Sequence, residues 1–184
     1  MDDFDPAPPS AAKSARSRAR AAVEASLSPD AAAAPRRIVR RKTRVRIGNT
    51  RVGKGVFAQK WYRAHDIVGE IKGAVVTDED YSSEYCMDLE DGSCLEPDAP
   101  FRYLNHSCEP NCRFTWHDLR EQSGADVRRR IFLYALRAIR PEEELTIDYG
   151  WPASYAIPCR CGAASCRGWI VAEDELSAVA DRKA

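Results

Sequence analysis

The sequence predicts a mainly β domain that is assembled from several short strands with few helices. Alternating or β-branched segments recur between about residues 42 and 150, and most of them end at Gly, Asn or an Asp-Gly pair. β-branched residues favour strands, whereas these small and polar residues favour turns. No internal repeat is visible, so the strands belong to one irregular domain.

The first half of this domain contains three pairs of predicted strands. TRVRIGNT (43–50) and RVGKGVFAQ (51–59) alternate and are broken by Gly and Asn, which predicts short strands around a turn. DIVGEIKGAVV (66–76) is a β-branched run that Gly interrupts, so it predicts two further strands. YCMDLEDGSCLEP (85–97) predicts two strands joined around an Asp-Gly turn.

The second half contains two stronger candidates for buried strands. RRRIFLYALRAI (128–139) fits a buried strand or a short helix, and its β-branched flanks and the following Pro141 favour the strand. EELTIDYGW alternates Leu145, Ile147 and Tyr149, which predicts a strand with one buried face.

Composition divides the 184 residues into four parts. Residues 1–35 are rich in Ala, Pro, Ser and Arg and almost free of large apolar residues, which predicts a disordered N-terminal tail. Residues 36–150 are the predicted globular domain, residues 151–170 are a cysteine-rich appendix, and residues 171–184 are a polar C-terminal tail with helical potential. This length suits one domain with tails.

The charge pattern argues against a nucleic-acid or membrane protein. Lys and Arg together number 28, as do Asp and Glu, so no overall field favours either partner. Residues 36–46 are strongly basic, but no aromatic residues are interleaved and the run overlaps the first predicted strand, which favours a solvated strand face. The sequence shows neither an apolar run of roughly 18 residues nor a secretory signal pattern. We therefore expect a cytoplasmic protein.

The cysteine pattern indicates a metal site. The seven cysteines are an odd number, which argues against a closed disulfide framework. Cys159, Cys161 and Cys166 have the spacing C-x-C-x4-C on a glycine-containing loop, which suits three corners of a tetrahedral zinc site. From the residues alone, the fourth ligand stays open among the following candidates: Cys86, Cys94, Cys108, Cys112 and the three histidines.

Four motifs, in this order, resemble those of the SET-domain protein lysine methyltransferases. They are GKGVFA (53–58), RYLNHSCEPNC (102–112), EEELTIDYGW (142–151) and CRCGAASCRGW (159–169). NHSC-x-PN together with ELT-x-DYG is specific, whereas GKGVF alone is weak. The resemblance covers about residues 42–170 and ends in what the family calls a post-SET segment. The family's cysteine-rich pre-SET segment is absent, because residues 1–85 contain no Cys.

The resemblance implies a fold of several short-stranded sheets with a threaded, pseudoknot-like C-terminal segment and a small zinc-binding post-SET loop. It also implies one structural zinc ion, held by Cys108, Cys159, Cys161 and Cys166. The remaining Cys86, Cys94 and Cys112 are then expected to pack as small apolar residues. Residues 115–126 resemble a hairpin that varies within the family.

The resemblance further implies that S-adenosyl-L-methionine is the methyl donor. The expected cofactor-binding residues are Gly53, Lys54, Gly55, Phe57, Arg102, Tyr103, Asn105, His106, Tyr149 and Trp169. The glycines allow a close backbone approach, Asn105 is expected to pair with the amino acid portion, and His106 to meet adenine through its backbone. Core packing is an equal alternative for Trp169, and a surface charge is an equal alternative for Arg102.

The expected activity is methyl transfer to a lysine of a protein substrate, with histones among the candidates. Tyr149 is the expected catalytic residue, and Tyr85, Phe114 and Ile147 are expected to line the substrate channel. In the family, an aromatic hydroxyl near the amine limits the number of methyl groups added. Neither Phe114 nor Ile147 has a hydroxyl, which predicts a product beyond monomethyl-lysine.

Two competing interpretations remain. A catalytically inactive SET-like binding module is disfavoured by the intact Tyr149, Asn105 and glycines, and a zinc-stabilised nucleic-acid-binding domain is disfavoured by the solvated basic run. A nucleophilic pair of Cys108 and His106 is disfavoured because a zinc-bound thiolate is occupied. The Ala- and Arg-rich start suggests a bacterial genome of high GC content.

Overall fold

The computed structural model describes residues 43–78, 80–81, 83–89, 92–120 and 127–181. Its strands are β1 Val45–Thr50, β2 Gly53–Ala58, β3 Ile67–Ile71, β4 Gly73–Val76, β5 Met87–Asp88, β6 Cys94–Pro97, β7 Asn105–His106, β8 Cys112–Arg120, β9 Val127–Ala135, β10 Glu144–Ile147, β11 Ile157–Pro158 and β12 Trp169–Ile170. Short 3₁₀ helices span Phe101–Tyr103, Ala153–Tyr155 and Glu173–Val179. The predicted mainly β architecture is confirmed. The predicted tail 1–35 and residues 36–42 of the basic run lie outside the described residues.

The strands form four small sheets, ordered β1-β2-β10-β7, β3-β9-β8, β4-β6-β5 and β11-β12. The helix alternative for residues 128–139 is wrong, because β9 pairs along its whole length with β8 in a hairpin. The turn of that hairpin, residues 121–126, lies outside the described residues. The late strand β10 is inserted between the earlier strands β2 and β7, as a threaded C-terminal segment requires.

The main core lies where these sheets pack against one another. Val56, Leu133, Ile139 and Leu145 are fully buried, and the burial of Leu133 and Leu145 agrees with the buried strands predicted at residues 128–139 and at EELTIDYGW. Tyr62 is also buried, and its hydroxyl donates a hydrogen bond to the carbonyl of Arg44 at 3.0 Å. Full burial of an aliphatic side chain such as that of Leu133 contributes about 1.5–3 kcal/mol to the free energy of folding. The core therefore stabilises the strands that position the site.

The segment after residue 170 packs as part of the fold. Val171 and Val179 are fully buried and form a second small cluster with Ala153, against which Trp169 and Leu176 pack. The predicted helical potential agrees with the 3₁₀ helix Glu173–Val179. The burial of Val179 was not expected for a polar tail. Isolated valines in a polar sequence do not reveal this packing.

The prediction that Cys86 and Cys94 pack as small apolar residues is wrong, because the structure joins them in a disulfide. Next to the antiparallel pair β5–β6, the Cα atoms of Cys86 and Cys94 lie 5.9 Å apart, within the range that a disulfide requires. Cys112 does pack as a buried apolar residue. The seven cysteines therefore divide into one disulfide, one buried thiol and a cluster of four.

Among the described residues, none of the helices has both the length and the apolar character that a membrane span needs.

Candidate active site and metal cluster

Parallel pairing of β7 with β10 joins the two most specific sequence motifs. Asn105 lies opposite Thr146, and His106 lies opposite Ile147. The ladder continues with a hydrogen bond from the Ser107 N–H to the carbonyl of Ile147 at 2.9 Å. The chain that leaves β10 therefore enters the site beside His106.

A cavity lies between the β1–β2 turn, β7 and the cysteine-rich loop. Its lining residues are Thr50, Arg51, Val52, Asn105, His106, Ser107, Glu144, Thr146, Arg160 and Cys161. Two of the predicted cofactor-binding residues, Asn105 and His106, are thus brought together with the C-terminal loop.

Asn105 is fixed at the edge of this cavity by two strong acceptors. Its Nδ2 donates to the carbonyl of Lys54 at 3.0 Å and to Oε1 of Glu144 at 2.7 Å. Both amide hydrogens are therefore directed to protein oxygens, and Oδ1 is left as the acceptor. For the expected pairing of Asn105 with the cofactor's amino acid portion, the structure leaves only the carbonyl end of the amide, which can accept an N–H.

The glycines of β2 permit the close approach of these groups. A Cβ atom at Gly55 would lie 2.6 Å from Oε1 of Glu144 and 3.1 Å from Nδ2 of Asn105, so a side chain there would displace the network. Gly53 has a φ of 114°, which side chains rarely adopt. The close approach at Gly55 is to groups of the protein, and the approach of both glycines to the cofactor stays a prediction.

Tyr149 is held by its hydroxyl and by its ring. The hydroxyl donates a hydrogen bond to the carbonyl of Leu104 at 2.8 Å. The ring centroid lies 5.4 Å from that of His106 and 5.1 Å from that of Trp151. Burial raises the pKa of Tyr149 to about 12, and the neighbouring Tyr85 adds to the rise. The phenol is therefore neutral at physiological pH.

The His106 ring is a buried structural group. Its Nδ1 accepts the backbone N–H of Tyr149 at 3.2 Å, so the neutral ring has its hydrogen on Nε2, which lies 3.4 Å from Sγ of Cys108. Burial lowers the pKa of His106, Arg167 adds to the lowering, and Asp148 opposes it. The ring is thus held by contacts within the protein, and the expected contact of the His106 backbone with adenine stays a prediction.

Four sulfurs come together beside the cavity. The Sγ atoms of Cys108, Cys159, Cys161 and Cys166 all lie within 4.8 Å of one another. Cys108 Sγ is 3.8 Å from Cys159 Sγ and 4.0 Å from Cys166 Sγ. A tetrahedral ion with metal–sulfur bonds of about 2.3 Å separates its ligands by about 3.8 Å. The cluster fits such an ion, and Cys108 completes the set that the spacing left open.

Further contacts dock the cysteine-rich loop onto the domain. Oε1 of Glu109 accepts hydrogen bonds from the backbone N–H and the hydroxyl of Ser165, at 2.7 and 2.6 Å. Arg51 donates to the carbonyl of Cys161 at 3.3 Å, and its guanidinium lies where a Cβ atom of Gly162 would be. The loop thus closes one side of the cavity.

Apart from Tyr149, five predicted cofactor-binding side chains, Lys54 among them, lie outside the lining of this cavity. The ring of Phe57 packs under the guanidinium of Arg46 at 4.6 Å. Arg102 forms an ion pair with Glu96 at 3.2 Å. Trp169 packs on the second cluster, in line with its core-packing alternative.

The fourth of these side chains, Tyr103, is contacted by the ammonium group of Lys54, 4.9 Å above its ring. Its ring also meets Tyr85 edge-on at 6.5 Å. Tyr103 and Lys54 therefore border the predicted channel rather than the cavity.

The three predicted channel residues differ in exposure. Tyr85 is 39% exposed, and Arg102 lies 4.4 Å above its ring. Phe114 is partly buried against Trp116, with ring centroids 6.0 Å apart. Ile147 is buried in the core behind Tyr149. Tyr85 is therefore the most exposed of the three predicted channel residues.

Sequence reasoning missed several lining residues. Glu144 and Thr146 alternate with the buried Leu145, so the same strand pattern places them on the opposite face of β10. That alternation was a usable signal. Arg51 and Arg160 lie on loops, where the sequence shows no periodicity that would have singled them out.

Comparison with curated proteins finds histone-lysine methyltransferases. An H3 lysine-4 specific enzyme of Emericella nidulans is 42% identical over 73 residues, which cover 38% of this chain and 6% of that protein. Histone-lysine N-methyltransferase 2B of Homo sapiens is 32% identical over 135 residues, or 64% of this chain and 5% of that protein. The chain thus spans only a small part of these relatives. They are eukaryotic, which does not support the expected bacterial origin.

Comparison with solved structures finds the same fold. A KRYPTONITE complex with mCHH DNA, H3(1-15) peptide and SAH matches with a TM-score of 0.57 and 27% identity, covering 70% of this chain and 30% of that one. A second KRYPTONITE structure, with mCHG DNA and SAH, matches with a TM-score of 0.55 and 31% identity, covering 66% and 27%. The family model described as SET domain matches residues 53–150, which contain β2 through Tyr149. The chain therefore belongs to the SET domain family.

Proposed function

We propose that this protein is a protein-lysine N-methyltransferase that uses S-adenosyl-L-methionine. The observation that supports it best is a partly buried, neutral tyrosine whose ring packs on His106, a residue that lines the polar cavity. Tyr149 follows β10, and the cavity is lined by Asn105, Glu144 and Thr146 from the paired strands β7 and β10. Family membership and the names of the relatives support the same reaction.

The bound cofactor supplies a methyl group on a positively charged sulfur, which an amine can attack directly. Oδ1 of Asn105 is free to accept an N–H from the cofactor's amino acid portion. The carboxylate of Glu144, beside it, adds negative charge that suits an ammonium group or a sulfonium ion. Because Gly55 has no Cβ atom, it does not displace the hydrogen bond between Asn105 and Glu144. Each of these residues binds or orients, and none has to exchange a proton.

The acceptor lysine has to reach the site as a neutral amine, although its ordinary pKa is about 10.4. The aromatic groups Tyr149, Trp151 and Tyr85 provide an environment that disfavours the ammonium form by desolvation. Because the Tyr149 hydroxyl donates to the carbonyl of Leu104, the phenol oxygen is the end that accepts an N–H from the substrate amine. It thereby directs the nitrogen lone pair toward the methyl group.

We further propose that the four-cysteine cluster holds one structural Zn²⁺. The four thiolates complete a tetrahedral set without an open position, which is the arrangement of structural rather than catalytic zinc sites. The ion would join Cys108 to the three cysteines of the loop. It would thereby hold the loop, which contains Arg160 and Cys161, against the cavity.

The substrate is proposed to be a protein segment that presents a lysine. The relatives are named as histone-lysine methyltransferases, and one matching structure contains an H3 peptide. Histone H3 is therefore the first substrate to test, alongside an unselected protein mixture.

The test is transfer of a tritiated methyl group from S-adenosylmethionine to histone H3 and to a cell lysate. Label on lysine is expected with the parent protein and loss of most label with Tyr149→Phe. Cofactor binding, measured by calorimetry, accompanies the assay. Binding without transfer to any protein would favour an inactive SET-like binding module, and absence of binding would contradict the cavity assignment as well.

A further inference from the structure

Arg167 forms the closest ion pair between the cysteine-rich loop and the segment that contains Tyr149. Its Nη1 and Nη2 donate to the two carboxylate oxygens of Asp148, at 2.7 and 2.8 Å. The Arg167 side chain is only 13% exposed. A bidentate pair of this kind fixes orientation as well as distance. Asp148 is the residue directly before Tyr149.

The other end of Arg167 belongs to the four-cysteine cluster. Arg167 follows Cys166, and its backbone N–H points to Sγ of Cys108 at 3.4 Å. Its Nε is buried without a hydrogen-bond partner among the described residues. Burial of an N–H group without a partner is unfavourable. The conformation of the Arg167 side chain therefore depends on its ion pair with Asp148 and on the assembled cysteine cluster.

Asp148 in turn organises the turn that presents Tyr149. One carboxylate oxygen accepts the N–H of Gly150 at 3.2 Å and lies 3.4 Å from Nδ1 of His106. The same Nδ1 accepts the N–H of Tyr149. Gly150 has a φ of 57°, so the chain turns sharply directly after the tyrosine. A displaced Asp148 carboxylate would release the N–H of Gly150, the residue that follows the tyrosine.

We propose that Arg167 is a positioning residue that makes the placement of the Tyr149 hydroxyl depend on an assembled cysteine cluster. The proposal rests on the proposed function, because it assigns Arg167 to the step that Tyr149 performs. The guanidinium touches neither substrate nor cofactor in this role. It holds Asp148, Asp148 holds the turn, and the turn sets the phenol oxygen against the substrate amine.

The kinetic test compares Arg167→Gln and Arg167→Lys with the control Ser165→Ala. Ser165 lies in the same loop, and Ser165→Ala removes only its hydroxyl bond to Glu109 while the backbone N–H bond to the same carboxylate oxygen keeps the loop docked. Arg167→Gln should lower kcat by about thirtyfold, with the peptide KM, the cofactor Kd and the zinc content unchanged within about threefold. Arg167→Lys should recover only part of kcat, because an ammonium group cannot form the paired bonds. Ser165→Ala should remain within about twofold of the parent.

A second readout does not require activity. In protein labelled with ¹³C-tyrosine, the ring signal of Tyr149, assigned by its loss in Tyr149→Phe, should shift in Arg167→Gln and on chelation, but not in Ser165→Ala. An unmoved signal with normal kcat would overturn the proposal, as would loss of zinc from Arg167→Gln. If the parent protein transfers no methyl group, the proposed function fails, whereas the ring signal still decides whether Arg167 positions Tyr149.

Discussion

At the scale of single residues, Tyr149 is the side chain on which the proposed chemistry depends. Tyr149→Phe removes the hydroxyl that bonds Leu104 but keeps the ring between His106 and Trp151. We expect methyl transfer to fall by at least about a hundredfold, since one positioned polar group is lost from the transition state. Cofactor affinity should change little. Single-turnover kinetics and calorimetry measure the two effects.

A matched control for this variant is Tyr134→Phe, which also removes one hydroxyl. Tyr134 lies in the β8–β9 hairpin, where its hydroxyl contacts Nε2 of His117 at 2.8 Å. Its turnover should stay near that of the parent. Near-normal turnover in Tyr149→Phe would instead mean that this tyrosine only packs.

The raised pKa of Tyr149 makes a prediction about pH. A phenol with a pKa of about 12 keeps its proton throughout the range in which a lysine near pKa 10.4 becomes neutral. The rate should therefore rise as pH increases from 7 toward 10, without a descending limb from Tyr149. Single-turnover rates at saturating cofactor measure the profile, with circular dichroism as the check on folding. A fall between pH 9 and 10 in a folded protein would contradict it.

Phe114 bears on the number of methyl groups added. Its ring lies beside Trp116 and bears no hydroxyl that could hold a water near the amine. A product beyond monomethyl-lysine stays a prediction, and Phe114→Tyr should shift it toward monomethyl-lysine. Mass spectrometry of a peptide treated with excess enzyme measures the distribution. A strictly monomethylated product from the parent protein would contradict the assignment of Phe114 as the residue that limits the number of methyl groups.

At the scale of elements, local patterns predicted the strands but not their partners. The alternation in β10 identified its buried face, and the Asp-Gly pair correctly located the β5–β6 turn region. The parallel contact of β7 with β10 joins residues some forty positions apart, and β7 is only two residues long. No periodicity is detectable over two residues, so neither the local pattern nor the family resemblance predicted that Asn105 meets Glu144.

The same limit applies to single side chains, whose packing partners the sequence does not show. Trp169 and Phe57 have the apolar character that suits a cofactor cover, but packing against Val179 and Arg46 decides their positions. The disulfide of Cys86 with Cys94 likewise depends on hairpin pairing that the residue count does not reveal. Tertiary contacts, rather than residue type, determine which face each side chain occupies.

The cysteine-rich loop is the element that metal removal should affect. Its described side-chain contacts with the domain are polar, and the small apolar cluster that flanks it is separate from the main core. We expect chelation to loosen residues 152–170 and to abolish methyl transfer while most of the fold remains. Hydrogen exchange should increase in the loop and stay slow in β8 and β9. Global unfolding on chelation would show that the main core depends on the metal.

At the scale of the whole molecule, the two segments that composition describes as tails should behave differently on deletion. The described buried side chains of the two clusters lie between Val56 and Val179. Residues 1–35 are almost free of large apolar residues, so their composition predicts no contribution to a core. Deletion of residues 1–35 should leave the melting temperature and turnover on a short peptide unchanged. Deletion of residues 173–184 removes Val179, uncovers Val171 and removes Glu175, whose carboxylate accepts the N–H of Ala153 at 2.8 Å.

We expect the second deletion to cost about 2 kcal/mol or more of stability, concentrated in the segment that precedes the cysteine-rich loop. Because that segment connects Tyr149 to Cys159, cofactor affinity and turnover should fall together. Val179→Ala provides the milder, full-length version and should show a smaller loss in the same direction. Thermal unfolding and turnover, measured on the parent and the three variants, test the difference. Equal tolerance of both deletions would mean that the packing around Val179 contributes nothing to the folded site.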